Sequence, residues 1–158
     1  MMKDENDVIY DFRDGNLKRV EEHLNQNPEL ITFTDASGDS LLHHAAVDGH
    51  IDVAKLLLNR GAIIDQSNDM GWSALHVAAM EVNYEFADYL LTKGIPVDLK
   101  DKNGETALHR AVYGHVQAQY IAYHLQTIDV LVAGGADVNA KNNEGYSVLD
   151  LAKRHNYP

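Results

Sequence analysis

The sequence predicts an all-α solenoid, in which helix-turn-helix pairs joined by β-hairpin-type loops stack one upon the next, and three observations predict it. The segment Gly38-Asp-Ser-Leu-Leu-His-His-Ala-Ala returns as Gly71-Trp-Ser-Ala-Leu-His-Val-Ala-Ala and as Gly104-Glu-Thr-Ala-Leu-His-Arg-Ala-Val, each time 33 residues on, and a fourth copy, Gly145-Tyr-Ser-Val-Leu-Asp-Leu-Ala, follows after 41. A fixed period of this size marks a repeat architecture. Within the copies, Leu42, Leu75, Leu108 and Leu149 stand three residues before Ala45, Ala78, Ala111 and Ala152. This is an apolar stripe at helical spacing, and its small members let neighbouring helices approach closely. Gly61, Gly94 and Gly135 then punctuate the chain, as a left-handed residue just past a helix end requires.

In chain order, Val8 to Arg13 reads as a shortened first helix, and Gly15-Asn16-Leu17 with Val20 and Leu24 as the second helix of an N-terminal repeat; Pro28 suits the loop after it. Each later unit opens on a hydroxyl, at Ser40, Ser73, Thr106 and Ser147, which can cap a helix start by accepting from backbone N–H groups two or three residues on. Second helices follow with Ile51, Val53, Ala54, Leu57 and Leu58, and 33 residues later with Tyr84, Phe86, Ala87, Leu90 and Leu91. One domain over residues 1–158 is expected, with repeats near 4–37, 38–70, 71–103 and 104–144 and a half-repeat at 145–158.

The pattern G-x-[ST]-x-L-H-x-A at equal spacing resembles the ankyrin repeat family, whose unit of about 33 residues carries T-P-L-H-x-A, over nearly the whole chain. The family's proline is replaced by Leu41, Ala74, Ala107 and Val148. That loses pre-organisation at the first helical residue but breaks no hydrogen bond. Ala62-Ile63-Ile64-Asp65, Ile95-Pro96-Val97-Asp98 and Ala136-Asp137-Val138-Asn139 match the family's entry into its hairpin loops. The resemblance implies that His43, His76 and His109 hydrogen-bond adjacent loops. It also implies that protein contacts come from the hairpin tips and the exposed side of each first helix. Carried over by position, the tips are Ala36, Ser37 and Asp39; Asp69, Met70 and Trp72; Lys102, Asn103 and Glu105; Asn143, Glu144 and Tyr146. The helix ends add Val47, Asp48, Met80, Glu81 and Tyr113.

Composition narrows the function classes. Thirteen Lys and Arg against 24 Asp and Glu give a net charge of −11, which repels phosphate backbones and anionic lipids, so neither nucleic acid nor membrane is expected as a partner. With no cysteine, thiolate metal sites, disulfides and cysteine nucleophiles are excluded. The acidic opening Lys3 to Asp7 lacks the apolar run of a secretory signal, and the chain is read as soluble and cytoplasmic. His43, His76 and His109 stand a whole repeat apart. Stacked helices lie roughly 10 Å from one another, too far for ligands that must each reach within about 2 Å of one ion. His115, His124 and His155 fall on turns or ends. No G-x-S-x-G elbow is present, and Gly134-Gly135 is not followed by the Lys-Ser of a phosphate loop. No catalytic residue, cofactor or metal is therefore expected.

Two departures from the repeat remain. The 41-residue unit carries about eight extra residues near 116–126, good helix formers, so its second helix is expected to run from near Val116 to Ala133. Eight residues at 100° each leave a phase error of about 80°. The addition is either a surface elongation covering its neighbour's core or a binding element that projects Tyr113, Tyr120 and Tyr123. At Ala152-Lys-Arg-His-Asn-Tyr-Pro158 the last unit stops where a second helix would start. A stacked array needs a polar end cap, so this is either a truncation or natural stub, or a surface covered by another chain.

Together these readings point to a non-catalytic module that binds a basic or amphipathic protein through its concave face, an inhibitor being the narrower version of this reading. Its face would be acidic at Asp39, Asp48, Asp69, Glu81, Glu105 and Glu144 and would carry large apolar bodies at Met70, Trp72, Met80, Tyr113 and Tyr146, the composition of an interface hot spot. Two other classes stay open. A metal-binding protein or enzyme would hold metal on elemental analysis, and a self-assembling element joined at its C-terminal end would show a concentration-dependent mass. A monomer is the default expectation.

Overall fold

The computed structural model describes residues 5–113 and 121–154. The helices are α1 (Glu5–Arg13), α2 (Leu17–Gln26), α3 (Leu41–Asp48), α4 (Ile51–Asn59), α5 (Ala74–Met80), α6 (Tyr84–Thr92), α7 (Ala107–Tyr113), α8 (Ile121–Ala133) and α9 (Val148–Arg154), with a short 3-10 turn at Pro28–Thr32. The odd-numbered helices α1, α3, α5, α7 and α9 stack into one layer, and α2, α4, α6 and α8 into a second. No strand forms among the described residues. The loops before α3 and α9 carry isolated antiparallel bridges, Thr34 to Ser40 and Lys141 to Ser147. The chain belongs to the all-α solenoid class.

The sequence pattern explains the packing. Leu42, Leu75 and Leu108, with Ala45, Ala78 and Ala111, are buried between helices of the first layer, and Val53, Leu57, Phe86, Leu90 and Leu131 fill the seam to the second. The fourth copy keeps the pattern only in part: Leu151 is buried while Leu149, on the stripe, is 50% exposed. Gly61, Gly94 and Gly135 adopt φ of 94°, 86° and 93° after α4, α6 and α8, the left-handed ending expected of them. The first helix begins at Glu5, three residues before the expected start at Val8.

In the long repeat, α8 is described from Ile121 onward. The expected helix start near Val116, and the added residues before Ile121, lie outside the described residues. From there α8 follows the template of α6. Thr127 and Leu131 stand 41 residues after Phe86 and Leu90 and are fully buried as they are. His124, expected on a turn or end, is instead buried in α8 with Nδ1 3.3 Å from the carbonyl of Ala111. It stands 41 residues after Asn83, whose amide donates to the carbonyls of Ala46 and Val47 at 2.9 and 2.8 Å. Both side chains satisfy carbonyls of a first-layer helix that have no partner within the helix.

Candidate protein-binding surface

Each repeat after the first is preceded by a tight finger, and all four fingers are built alike around one Asp or Asn. Asp35 Oδ1 accepts from the backbone N–H of Ser37 and Asp39 at 2.8 and 3.0 Å; Asn68 Oδ1 from Met70 and Trp72, both at 2.9 Å; Asp101 Oδ1 from Asn103 and Glu105 at 2.8 and 2.9 Å; and Asn142 Oδ1 from Glu144 and Tyr146 at 3.1 and 3.0 Å. A short side-chain acceptor bonded to the backbone two residues on is what makes Asp and Asn turn residues. Backbone bonds then tie finger to finger: Asp69 N–H donates to Ser37 O at 3.0 Å, Lys102 N–H to Met70 O at 3.1 Å, and Asn143 N–H to Asn103 O at 2.9 Å. Gly38, Gly71 and Gly104 make this approach possible. At φ of 77°, 79° and 73°, a Cβ on any of them would lie 2.9 Å from the next finger's backbone nitrogen.

The histidines of the repeat motif fasten the helices to these fingers. Ser40 and Ser73 each donate their N–H to Nδ1 of the histidine three residues on, at 3.1 Å, and their hydroxyls meet the same nitrogen at 2.8 and 2.9 Å. Nδ1 accepts, so Nε2 carries the proton. It donates to Trp72 O from His43 at 2.8 Å and to Glu105 O from His76 at 3.1 Å. Thr106 and His109 repeat the box at 3.2 and 2.9 Å. At His76 and His109 this geometry calls for the neutral imidazole, and burial holds both below the ordinary histidine pKa. Ser40 and Ser73 thus form capping boxes with His43 and His76 at the starts of α3 and α5. At α9, which has no histidine there, Ser147 and Asp150 make the reciprocal box directly: Asp150 N–H donates to Ser147 Oγ at 3.2 Å and Ser147 N–H to Asp150 Oδ2 at 2.9 Å.

Two residues expected at the finger tips, Glu105 and Trp72, make contacts within the chain. Glu105 is 6% exposed; Arg110 pairs with its Oε2 at 3.0 Å and Asn142 donates to its Oε1 at 3.3 Å. Trp72 is half-buried. Its indole N–H donates to Asp101 Oδ2 at 3.1 Å and its ring lies 4.9 Å from the Arg110 guanidinium. Both sit one place before the helix-capping hydroxyl, where the side chain turns along the neighbouring finger instead of away from the array. Asp39 is held the same way, accepting from Asn68 Nδ2 at 2.7 Å, and keeps only partial exposure. Asp101 and Arg110, which the reading of tips and helix ends passed over, form the centre of this network through their own direct ion pair. Burial alone would raise the Asp101 pKa, but Arg110 and the finger N–H groups outweigh it and hold the carboxyl below its ordinary value. The signal for Asp101 was in the sequence, as an Asp or Asn at 35, 68, 101 and 142.

The remaining candidates divide by place. Asp69, Met70 and Glu144 are exposed at finger tips, Tyr146 is 38% exposed beside them, and Lys102 and Asn103 are exposed on the third finger. Asp48 and Glu81 are exposed at the ends of α3 and α5, with Met80 half-buried. Partial burial and the nearby Asp48 carboxylate hold Glu81 above its ordinary pKa. Tyr123 is 50% exposed on α8, away from the fingers. Tyr120 and the side chain of Tyr113 lie outside the described residues, as do His115 and His155. Among the described residues, no group of His, Asp and Glu is arranged to hold a metal, and no helix is long and apolar enough to cross a membrane.

The comparisons with known proteins agree with this geometry. A family model for ankyrin repeats in three copies matches residues 9–101 and 71–142. The chain is 32% identical over 69 residues to human protein phosphatase 1 regulatory subunit 27, covering 42% of this chain and 45% of that protein. It is 37% identical over 62 residues to the integrin-linked protein kinase homolog pat-4 of Caenorhabditis elegans, covering 39% of this chain and 13% of that protein. It is also 38% identical over 60 residues to the probable E3 ubiquitin-protein ligase XBOS32 of rice, Oryza sativa subsp. japonica, covering 37% and 12%. The matches span less than half of each relative. Ankyrin repeats generally mediate protein–protein interaction and are generally non-catalytic. By its period, its finger ladder and the span of the matching family model, this chain belongs to the ankyrin repeat family.

Proposed function

We propose that this protein is a non-catalytic binding module that takes a basic or amphipathic protein on the side formed by its fingers and first-layer helices, in the cytoplasm. The observation that carries the reading is the finger ladder. Backbone bonds between successive fingers hold the exposed Asp69, Met70, Lys102, Asn103, Glu144 and Tyr146 in one row, and a pre-ordered row loses little entropy when it binds. The basic character of the partner follows from the net charge of −11 and from exposed carboxylates at Asp48, Asp69, Glu81 and Glu144, which attract cationic surfaces and repel anionic ones. Such a module could act as an inhibitor by covering a partner's working surface. The likeness to a phosphatase regulatory subunit is compatible with a regulatory role.

The test is comparative capture. Partners retained by the immobilised protein from native lysate are identified, and the capture is repeated with Met70→Ala/Tyr146→Ala and with Asp69→Asn/Glu144→Gln. Loss of the same basic proteins from both variants supports the reading, and retention by both contradicts it. One observation favours a second reading, self-association near α9. Leu149 is exposed there, and nothing lies within 4 Å of a Cβ built on Gly145, unlike its counterparts in the three earlier fingers. A mass by light scattering that stays constant with concentration would remove it.

A further inference from the structure

One continuous line of polar contacts crosses three of the fingers. At the second finger, the Trp72 indole N–H reaches Asp101 Oδ2 at 3.1 Å and the ring lies 4.9 Å from the Arg110 guanidinium. In the middle, that guanidinium pairs with both Asp101 and Glu105. At the fourth finger, Glu105 Oε1 accepts from Asn142 Nδ2 at 3.3 Å. Asp101, Glu105 and Asn142 are each at most 7% exposed, so water offers their polar atoms little substitute for these partners. The end points also hold the loops themselves, because Asp101 Oδ1 accepts from the N–H groups of the third finger and Asn142 Oδ1 from those of the fourth. The side chains that shape these fingers therefore also join them. Arg110 is the hub, and its place in the other repeats is taken by His44, Val77 and Leu151. Val77 and Leu151 carry no charge, and His44 faces the single carboxylate of Asp35 at 3.2 Å. Only a planar guanidinium fork can hold two carboxylates and lie against a ring at once. Its loss would leave two buried carboxylates without their countercharge.

We infer that Arg110 is a positioning residue for the binding row: it couples the second, third and fourth fingers into one cooperative unit, so that a partner touching the second also orders the fourth. The inference rests on the finger-row reading above and adds a residue that the partner need not touch. Backbone rungs join each finger only to its neighbour, whereas the route through Arg110 spans all three. The first finger is tied to the second separately, by the Asn68 amide on Asp39. It serves as the internal reference.

The test is amide hydrogen exchange, read by NMR on the ¹⁵N-labelled full chain. It needs no partner, so a failure here leaves the binding reading to be decided by capture. The reporters are the N–H groups that each finger's Asp or Asn accepts, at Trp72, Glu105 and Tyr146, with Asp39 as the reference. Arg110→Gln is expected to speed exchange about tenfold or more at Trp72, Glu105 and Tyr146 together, and by less than about twofold at Asp39. Arg110→Lys, which keeps the charge but not the fork, should show the same pattern, and it stands in for Arg110→Gln in every comparison if circular dichroism finds that variant unfolded. Trp72→Phe keeps an aromatic ring and loses the indole N–H. It should speed exchange at Tyr146 in the parent and leave it unchanged once Arg110 is replaced. Acceleration confined to the third finger overturns the coupling. Equal acceleration at Asp39 and throughout α4 and α6 marks a general loss of stability and overturns it too. A Trp72→Phe effect on the fourth finger that survives the loss of Arg110 overturns the arginine as the route.

Discussion

Met70 and Trp72 stand two residues apart on the same finger and do opposite work. Met70 is 48% exposed, whereas the indole of Trp72 bonds Asp101 and stacks on Arg110. Trp72→Ala should therefore cost about 2–3 kcal/mol, from a lost aromatic contact and from Asp101 and Arg110 losing cover. Met70→Ala should stay within about 0.5 kcal/mol. Urea unfolding of the two variants checks both, and a Trp72→Ala chain as stable as the parent would return the indole to the interface. Val82 gives a prediction of opposite sign. It holds φ of 55° where Gly49, 33 residues earlier, holds 75°, and a β-branched residue is strained in that region by about 1–2 kcal/mol. Val82→Gly should raise stability by about 1 kcal/mol, less than the full strain because glycine loses more freedom on folding. A lowered urea midpoint would contradict this.

At the scale of the element, repeats are joined by side chains that alternate in kind. Asp35, Asp39 and His44 in one repeat are followed at the same places by Asn68, Trp72 and Val77, then by Asp101, Glu105 and Arg110, then by Asn142, Tyr146 and Leu151. Charged sets face neutral ones, and the bonds Asn68 to Asp39, Trp72 to Asp101 and Asn142 to Glu105 cross between them. This is why the helices and the capping hydroxyls were legible in the sequence while the contacts of Trp72 and Glu105 within the chain were not. Stripe, glycine and cap are properties of one repeat, but the fate of a finger side chain depends on what the next repeat offers it. The histidine boxes at Ser73 and Thr106 make the helix starts sensitive to pH. Burial lowers the pKa values of His76 and His109 below the unfolded value of 6.5, as it does that of His44 beside Asp35, so the unfolded chain takes up protons first. Their contribution is complete above about pH 6.5 and declines as pH falls toward the folded values, by at most about 1.4 kcal/mol per histidine per pH unit. Asp11 and Asp101, held below 3.8, add a further loss in the more acidic range. Urea midpoints near pH 7.5, 6 and 5 should fall in that order. A flat series would mean that the boxes tolerate charged imidazole.

For the whole molecule, the 33-residue period made the solenoid and its repeats legible before any coordinates, because stacking is a nearest-neighbour property written into each copy. The surface of the fingers was legible only in outline. Asp69, Met70, Glu144 and Tyr146 are at exposed or partly exposed finger positions as position alone suggests, while the ladder that holds them is made of backbone bonds and glycine approaches that no side-chain pattern displays. The account as a whole stands on electrostatic recognition by an ordered, acidic protein surface. The measurement that tests it most directly is the association rate of a captured partner as salt is raised from about 20 mM to about 300 mM, over which the screening length falls from about 20 Å to about 6 Å. The account predicts a fall of about tenfold or more, reduced when Asp48, Asp69 and Glu81 are neutralised. An association rate indifferent to salt would contradict it, leaving the net charge of −11 without a role in recognition.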